Sequence, residues 1–156
     1  MNSKYSLISA AIAATLTSAL GLVPSAASGA ELQPIEQLGS NIFFDRQLSL
    51  RRNQACASCH VPEAGWVGDD PKINEAGAVY EGSIAGRFGN RKPPSSAYAT
   101  LSPIFYQDKK GLFVGGNFWD GRATGELLGN PAADQAQGPF VNTVEQALPD
   151  SACVVY

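Results

Sequence analysis

The chain has 156 residues and a formal charge of −3 at pH 7, with an isoelectric point near 5.0. That balance lacks the basic field that nucleic acid demands, so nucleic acid is excluded as a partner. The length is that of one small domain, which buries limited apolar surface and needs a staple.

Residues 1–30 have the form of a cleaved secretory signal peptide. Lys4 supplies the basic start, residues 7–23 are an Ala/Leu-rich apolar run, Pro24 breaks it, and Ser28-Gly29-Ala30 offer small residues before Glu31. A membrane anchor is the alternative, but the run is short and broken by Ser and Thr. No cysteine stands near the cleavage point, which excludes a lipoprotein. The expected mature chain is 31–156, periplasmic, with no membrane span after cleavage.

Residues 32–44 place Leu32, Ile35, Leu38, Ile42 and Phe43 at helical spacing, with Pro34 tolerated in the first turn. Residues 54–60 are expected to form a helical turn. Residues 61–100 are loop-like and punctuated by Gly and Pro, a length suspect in an ordinary domain unless it wraps a cofactor. Residues 113–122 are aromatic and Gly-rich and end in a turn at Asp120-Gly121. Short helices are expected at 123–128, 132–137 and 143–148, and Val154-Val155 look like the start of another. The fold class is mainly α, with long loops.

The segment at 54–60 contains Cys56-Ala57-Ser58-Cys59-His60, the attachment signature of a c-type haem. Each thiol adds to one porphyrin vinyl group, and the turn places His60 under the iron as proximal ligand. A thioredoxin-like pair would sit in a βαβ setting, which is absent. A zinc site would need three or four ligands, whereas His60 is the chain's one histidine and Cys153 stands alone. A Cys56–Cys59 disulfide would close a strained small loop. One covalent haem c is therefore expected, and export fits it, since c-type haem is attached outside the cytoplasm.

With these residues in view, the chain resembles the N-terminal half of bacterial dihaem cytochrome c peroxidases and their MauG-like relatives. The likeness is carried by Leu38-Gly39-Ser40-Asn41-Ile42-Phe43-Phe44-Asp45 through Leu48-Ser49, by Cys56 to Pro62, by Arg91 to Ala99, by Phe118-Trp119-Asp120-Gly121-Arg122-Ala123, and by Gln135 to Glu145 around Gly138-Pro139. The resemblance implies a cytochrome c-like haem domain. It also implies reduction of hydrogen peroxide to water with electrons from a small cytochrome or cupredoxin. The N-terminal haem would be the peroxide site and a second haem would receive electrons. MauG-like members oxidise protein residues instead.

The resemblance assigns Glu145 to the acidic position above the iron, where a carboxylate moves a proton between peroxide oxygens. Asn142-x-x-Glu145 is also a helix-capping pattern. Gln135 would orient peroxide, or be a solvated helix face. Trp119 would help electrons cross between haems, or pack with Phe113 and Phe118. Arg91 and Arg122 suit haem propionates or plain surface ion pairs. Trp66, Tyr98 and Phe105 are expected to pack against haem or core.

The sequence also departs from the family pattern. The family often places Asn where Lys92 stands, near a calcium ion, and a lysine puts calcium in doubt. The one methionine is Met1, no second histidine exists, and residues 82–90 lack the removable distal histidine of many family members. An open iron with no reductive activation step is expected, with Tyr80, Tyr98, Lys92 or Cys153 as alternative ligands. No second haem motif follows before Tyr156, so the chain is a fragment, one half of a split pair, or a one-haem relative. Cys153, the odd cysteine, would pair between chains or stay buried and inert. A monohaem electron carrier and a haem-based sensory module are the competing classes.

Overall fold

Pro34 opens helix α1 (Pro34–Phe44), and the Gln33 N–H donates to Glu36 Oε2 at 2.7 Å, closing its first turn. The computed structural model describes residues 31–155, so the expected signal peptide lies outside the described residues. The helix falls where its apolar spacing predicts. Leu32, Ile35 and Leu38 nevertheless face outward, and only Ile42 and Phe43 turn partly inward.

The attachment motif forms a single 3-10 turn at Cys56–Ser58, tighter than an α-helical turn. Within the expected loop a short helix α2 (Pro71–Glu75) forms, because Asp70 Oδ1 accepts from the Lys72 and Ile73 N–H groups. Strands β1 (Tyr106–Gln107) and β2 (Phe113–Val114) pair antiparallel, with Tyr106 opposite Val114 and Gln107 opposite Phe113. Asp108 Oδ1 accepts from the Lys110 and Leu112 N–H groups and holds the turn between them. Helix α3 (Pro131–Ala136) is capped by Asn130, and α4 (Gly138–Val141) follows at once.

Two expected helices do not form. At 123–128 the Asp134 carboxylate accepts from the Gly125, Leu127 and Leu128 N–H groups, which takes the donors a helix needs. At 143–148 the Glu145 and Gln146 carbonyls accept from the Ser83 and Leu50 N–H groups instead of from their own segment. A 3-10 turn at Ser151–Val154 stands where a further helix start was expected.

Regular structure among the described residues is thus nearly all helical and joined by long loops, as the sequence predicts. Among the described residues the buried apolar side chains are Pro131 and four alanines, Ala55, Ala78, Ala123 and Ala147. Many larger apolar side chains lie exposed. No helix among the described residues is long and apolar enough to cross a membrane. What stands at the centre of this fold is a cavity rather than a packed core.

Candidate haem site

The cavity measures about 560 Å³. Cys56, Cys59, His60, Arg91, Trp119, Arg122, Gln135 and Glu145 all line it. These eight residues are therefore gathered around one hollow of cofactor size.

His60 Nδ1 lies 3.1 Å from the Trp66 carbonyl oxygen. A carbonyl only accepts, so Nδ1 carries the proton and the Nε2 lone pair is left for a metal. Trp66 holds that carbonyl with φ near +64°, in the left-handed region. Its ring packs edge-on against Phe43 at 5.5 Å, which places Trp66 in packing as expected.

Cys56 and Cys59 are half-buried and not joined to each other. Burial pushes both thiols up, and Cys59, with Glu145 and Cys56 nearby, reaches about 11. Neutral thiols at ordinary pH are neither nucleophilic nor metal-binding thiolates. Gln54 Nε2 sits 3.9 Å from Cys59 Sγ and donates to the Glu81 carbonyl at 2.9 Å.

Glu145 is half-buried, and burial raises its carboxyl pKa, while the Asn142 amide and the Arg122 charge pull it back. Asn142 caps a turn rather than a helix, through its Oδ1 and the Val144 N–H at 3.1 Å. Gln135, on α3, is also half-buried at the cavity wall.

Arg122 forms a two-pronged pair with Asp120, at 2.9 and 2.7 Å, and lies 3.7 Å above the Phe118 ring. That contact holds the Asp120 carboxyl below its ordinary range. Gly121, at φ near +70°, lets the chain reverse between these partners, as the Asp-Gly pair predicts. The surface ion pair is thus formed by Arg122, whereas Arg91 makes none among the described residues and stands exposed at the rim.

Trp119 does not join the expected cluster with Phe113 and Phe118. It is 67% exposed, and its Nε1–H donates to the Lys92 carbonyl at 3.3 Å. Phe113 stacks on Phe105 instead, at 5.5 Å, because the β1–β2 hairpin brings those rings together. Tyr98 is 81% exposed and packs against neither haem cavity nor core.

Of the alternative iron ligands, Tyr80 and Lys92 line the cavity, and Tyr98 and Cys153 do not. The Tyr80 hydroxyl accepts from the Asp70 N–H and donates to Asn74 Oδ1. Cys153 is exposed, which corrects the expectation that it could be buried.

Three cavity-lining residues were not legible in the sequence. Gln54, Ser96 and Gln146 carry buried polar atoms with no partner: Gln54 Oε1, Ser96 Oγ and both amide atoms of Gln146. Buried polar atoms are costly unless something satisfies them. A hollow walled by apolar groups, two attachment thiols, one histidine with a free nitrogen and unsatisfied polar atoms fits a haem with polar substituents.

The family model described as di-haem cytochrome c peroxidase matches residues 33–156. Methylamine utilization protein MauG of Paracoccus denitrificans (strain Pd 1222) is 38% identical over 138 residues, covering 85% of this chain and 34% of that protein. The diheme peroxidase BthA from Burkholderia thailandensis E264 aligns with a TM-score of 0.67 at 31% identity, over 80% of this chain and 29% of that one. A single-residue variant of BthA gives 0.63 and 35% over 76% and 28%. Fold and site together define a mainly helical domain with long loops, of the kind found in the diheme peroxidases it aligns with. The chain belongs to the di-haem cytochrome c peroxidase family. It spans about a third of the length of the relatives it matches.

Proposed function

We propose that this chain carries the peroxide-reducing haem of a cytochrome-c-peroxidase-type enzyme. In this reading one haem c is linked to Cys56 and Cys59, with His60 as proximal ligand. Electrons come from a small cytochrome c or cupredoxin, through a second haem-bearing domain or chain. Residues 1–30 direct the protein to the periplasm. Lys92 sets a positive charge where the family's calcium would sit, which disfavours calcium there.

Held by Cys56, Cys59 and His60, haem c would supply the redox-active iron at which peroxide is reduced. Hydrogen peroxide takes up two electrons and two protons, its O–O bond breaks, and two waters leave. The observation that carries the reading is Glu145, a half-buried carboxyl on the cavity wall whose proton affinity is raised by burial. It takes the proton from one peroxide oxygen and returns it to the other, making water the leaving group. Gln135 orients peroxide beside it. The Trp66 carbonyl keeps His60 in one tautomer. Arg91 reaches a propionate from the rim, and Arg122 does so by exchanging Asp120 for it. Trp119 carries electrons at the cavity mouth.

The test uses the haem-loaded protein with its second haem partner, reduced donor cytochrome and peroxide. Peroxide-dependent donor oxidation is expected, and E145Q should slow it by about a hundredfold or more. The ferric protein should show an open iron; a spectrum that stays six-coordinate and low-spin would overturn the open site and favour a monohaem carrier. Donor left unoxidised while a protein's side chains are oxidised would favour the MauG-like reading, which the 38% identity to MauG supports.

A further inference from the structure

Ser83 is 1% exposed, in a chain with almost no side-chain core. Its hydrogen-bonding groups are engaged. The N–H donates to the Glu145 carbonyl at 2.7 Å. The hydroxyl accepts from the Arg51 N–H at 3.0 Å and donates to Asn53 Oδ1 at 2.8 Å. The Ser83 carbonyl accepts from Asn53 Nδ2 at 3.1 Å. Beside it, the Leu50 N–H donates to the Gln146 carbonyl at 2.8 Å.

The 80–89 loop meets the segment around Glu145 most tightly at Gly82. A Cβ there would stand 2.4 Å from the Val144 carbonyl oxygen, so only glycine lets the two strands of chain meet. The 80–89 loop is also tied to itself, by Gly82 N–H to Arg87 O at 2.7 Å and Gly89 N–H to Tyr80 O at 3.1 Å. Neither Asn53 nor Ser83 lines the cavity. Together they join the segment just before the attachment cysteines to the backbone of the acid. A network that is anchored on the buried Ser83 and satisfies each of its hydrogen-bonding groups holds one geometry.

We infer that Asn53 and Ser83 are positioning residues that fix the Glu145 carboxyl relative to the haem-attachment turn. This rests on the proton role proposed for Glu145. It adds that the acid is held from behind by the attachment segment, so attachment turn and acid move as one body.

The test compares N53A, S83A and E145Q in the haem-loaded protein. One readout is the infrared band of the protonated Glu145 carboxyl in acid, assigned by its loss in E145Q. The other is the rate with peroxide. Asn53 is exposed, so N53A keeps the test available should S83A fail to fold. Both variants are expected to broaden or shift the band and to slow peroxide reduction by about tenfold to a hundredfold. N53A combined with E145Q should be no slower than E145Q alone. A band unmoved in N53A overturns the inference, even if melting temperature falls. A band that moves while E145Q leaves the rate intact supports the positioning and overturns the proton role instead.

Discussion

Asn142 Nδ2 donates to Glu145 Oε1 over 2.6 Å, and Asn142 Oδ1 accepts from the Val144 N–H at 3.1 Å. One asparagine thus closes the turn and aims the carboxyl. Burial still outweighs this contact and raises the Glu145 pKa above its ordinary 4.5. The folded state therefore binds the proton more tightly than the unfolded state does. The stability this group contributes is complete below about pH 4.5 and is lost as pH rises through the higher folded value. Glu145→Gln stays neutral and keeps an acceptor for Asn142. Its melting temperature should therefore climb relative to the parent as pH rises from about 4.5 through the raised folded value. A difference that stays flat with pH would show that the carboxyl is not raised.

The interior of small apolar side chains gives a second expectation. A cavity of about 560 Å³, with only Ala55, Ala78, Ala123, Ala147 and Pro131 as buried apolar side chains among the described residues, leaves little to drive folding alone. Haem removal should therefore cost far more than a surface change. The C56A/C59A chain should carry no covalent haem by mass spectrometry and show no cooperative thermal transition by circular dichroism. A single-cysteine variant should keep one thioether and melt below the parent. Cooperative melting of the haem-free chain would mean that the core lies elsewhere.

The site was more legible than the fold around it. Cys56, Cys59 and His60 carry their chemistry in adjacent residues, and the motif survives whether the turn is α or 3-10. The same holds for the order of Arg91, Trp119, Arg122, Gln135 and Glu145, all of which reach the cavity. The missed elements depend on partners far along the chain. Nothing within 143–148 says that Ser83 and Leu50 will claim its carbonyls, and nothing within 123–128 announces Asp134. Aromatic spacing likewise cannot say that Phe113 stacks on Phe105 rather than on Phe118. Gln54 and Gln146 read as surface residues because glutamine is seldom buried, and only a polar-lined cavity gives them a reason to be.

Trp119 separates its two roles cleanly because it is 67% exposed yet lines the cavity. Its polar tie among the described residues is the Nε1–H donated to the Lys92 carbonyl at 3.3 Å. A ring in that position adds little packing, so Trp119→Phe should change stability by no more than about 0.5 kcal/mol. If the indole carries electrons to the cavity, the same variant should slow electron arrival after mixing with reduced donor, with haem content and the absorption spectrum unchanged. Stopped-flow absorbance reads the first quantity and thermal melting the second. A large drop in melting temperature with electron arrival unaffected would return Trp119 to packing, against its exposure. Slower electron arrival at constant stability would identify the cavity mouth as the route by which electrons enter the site.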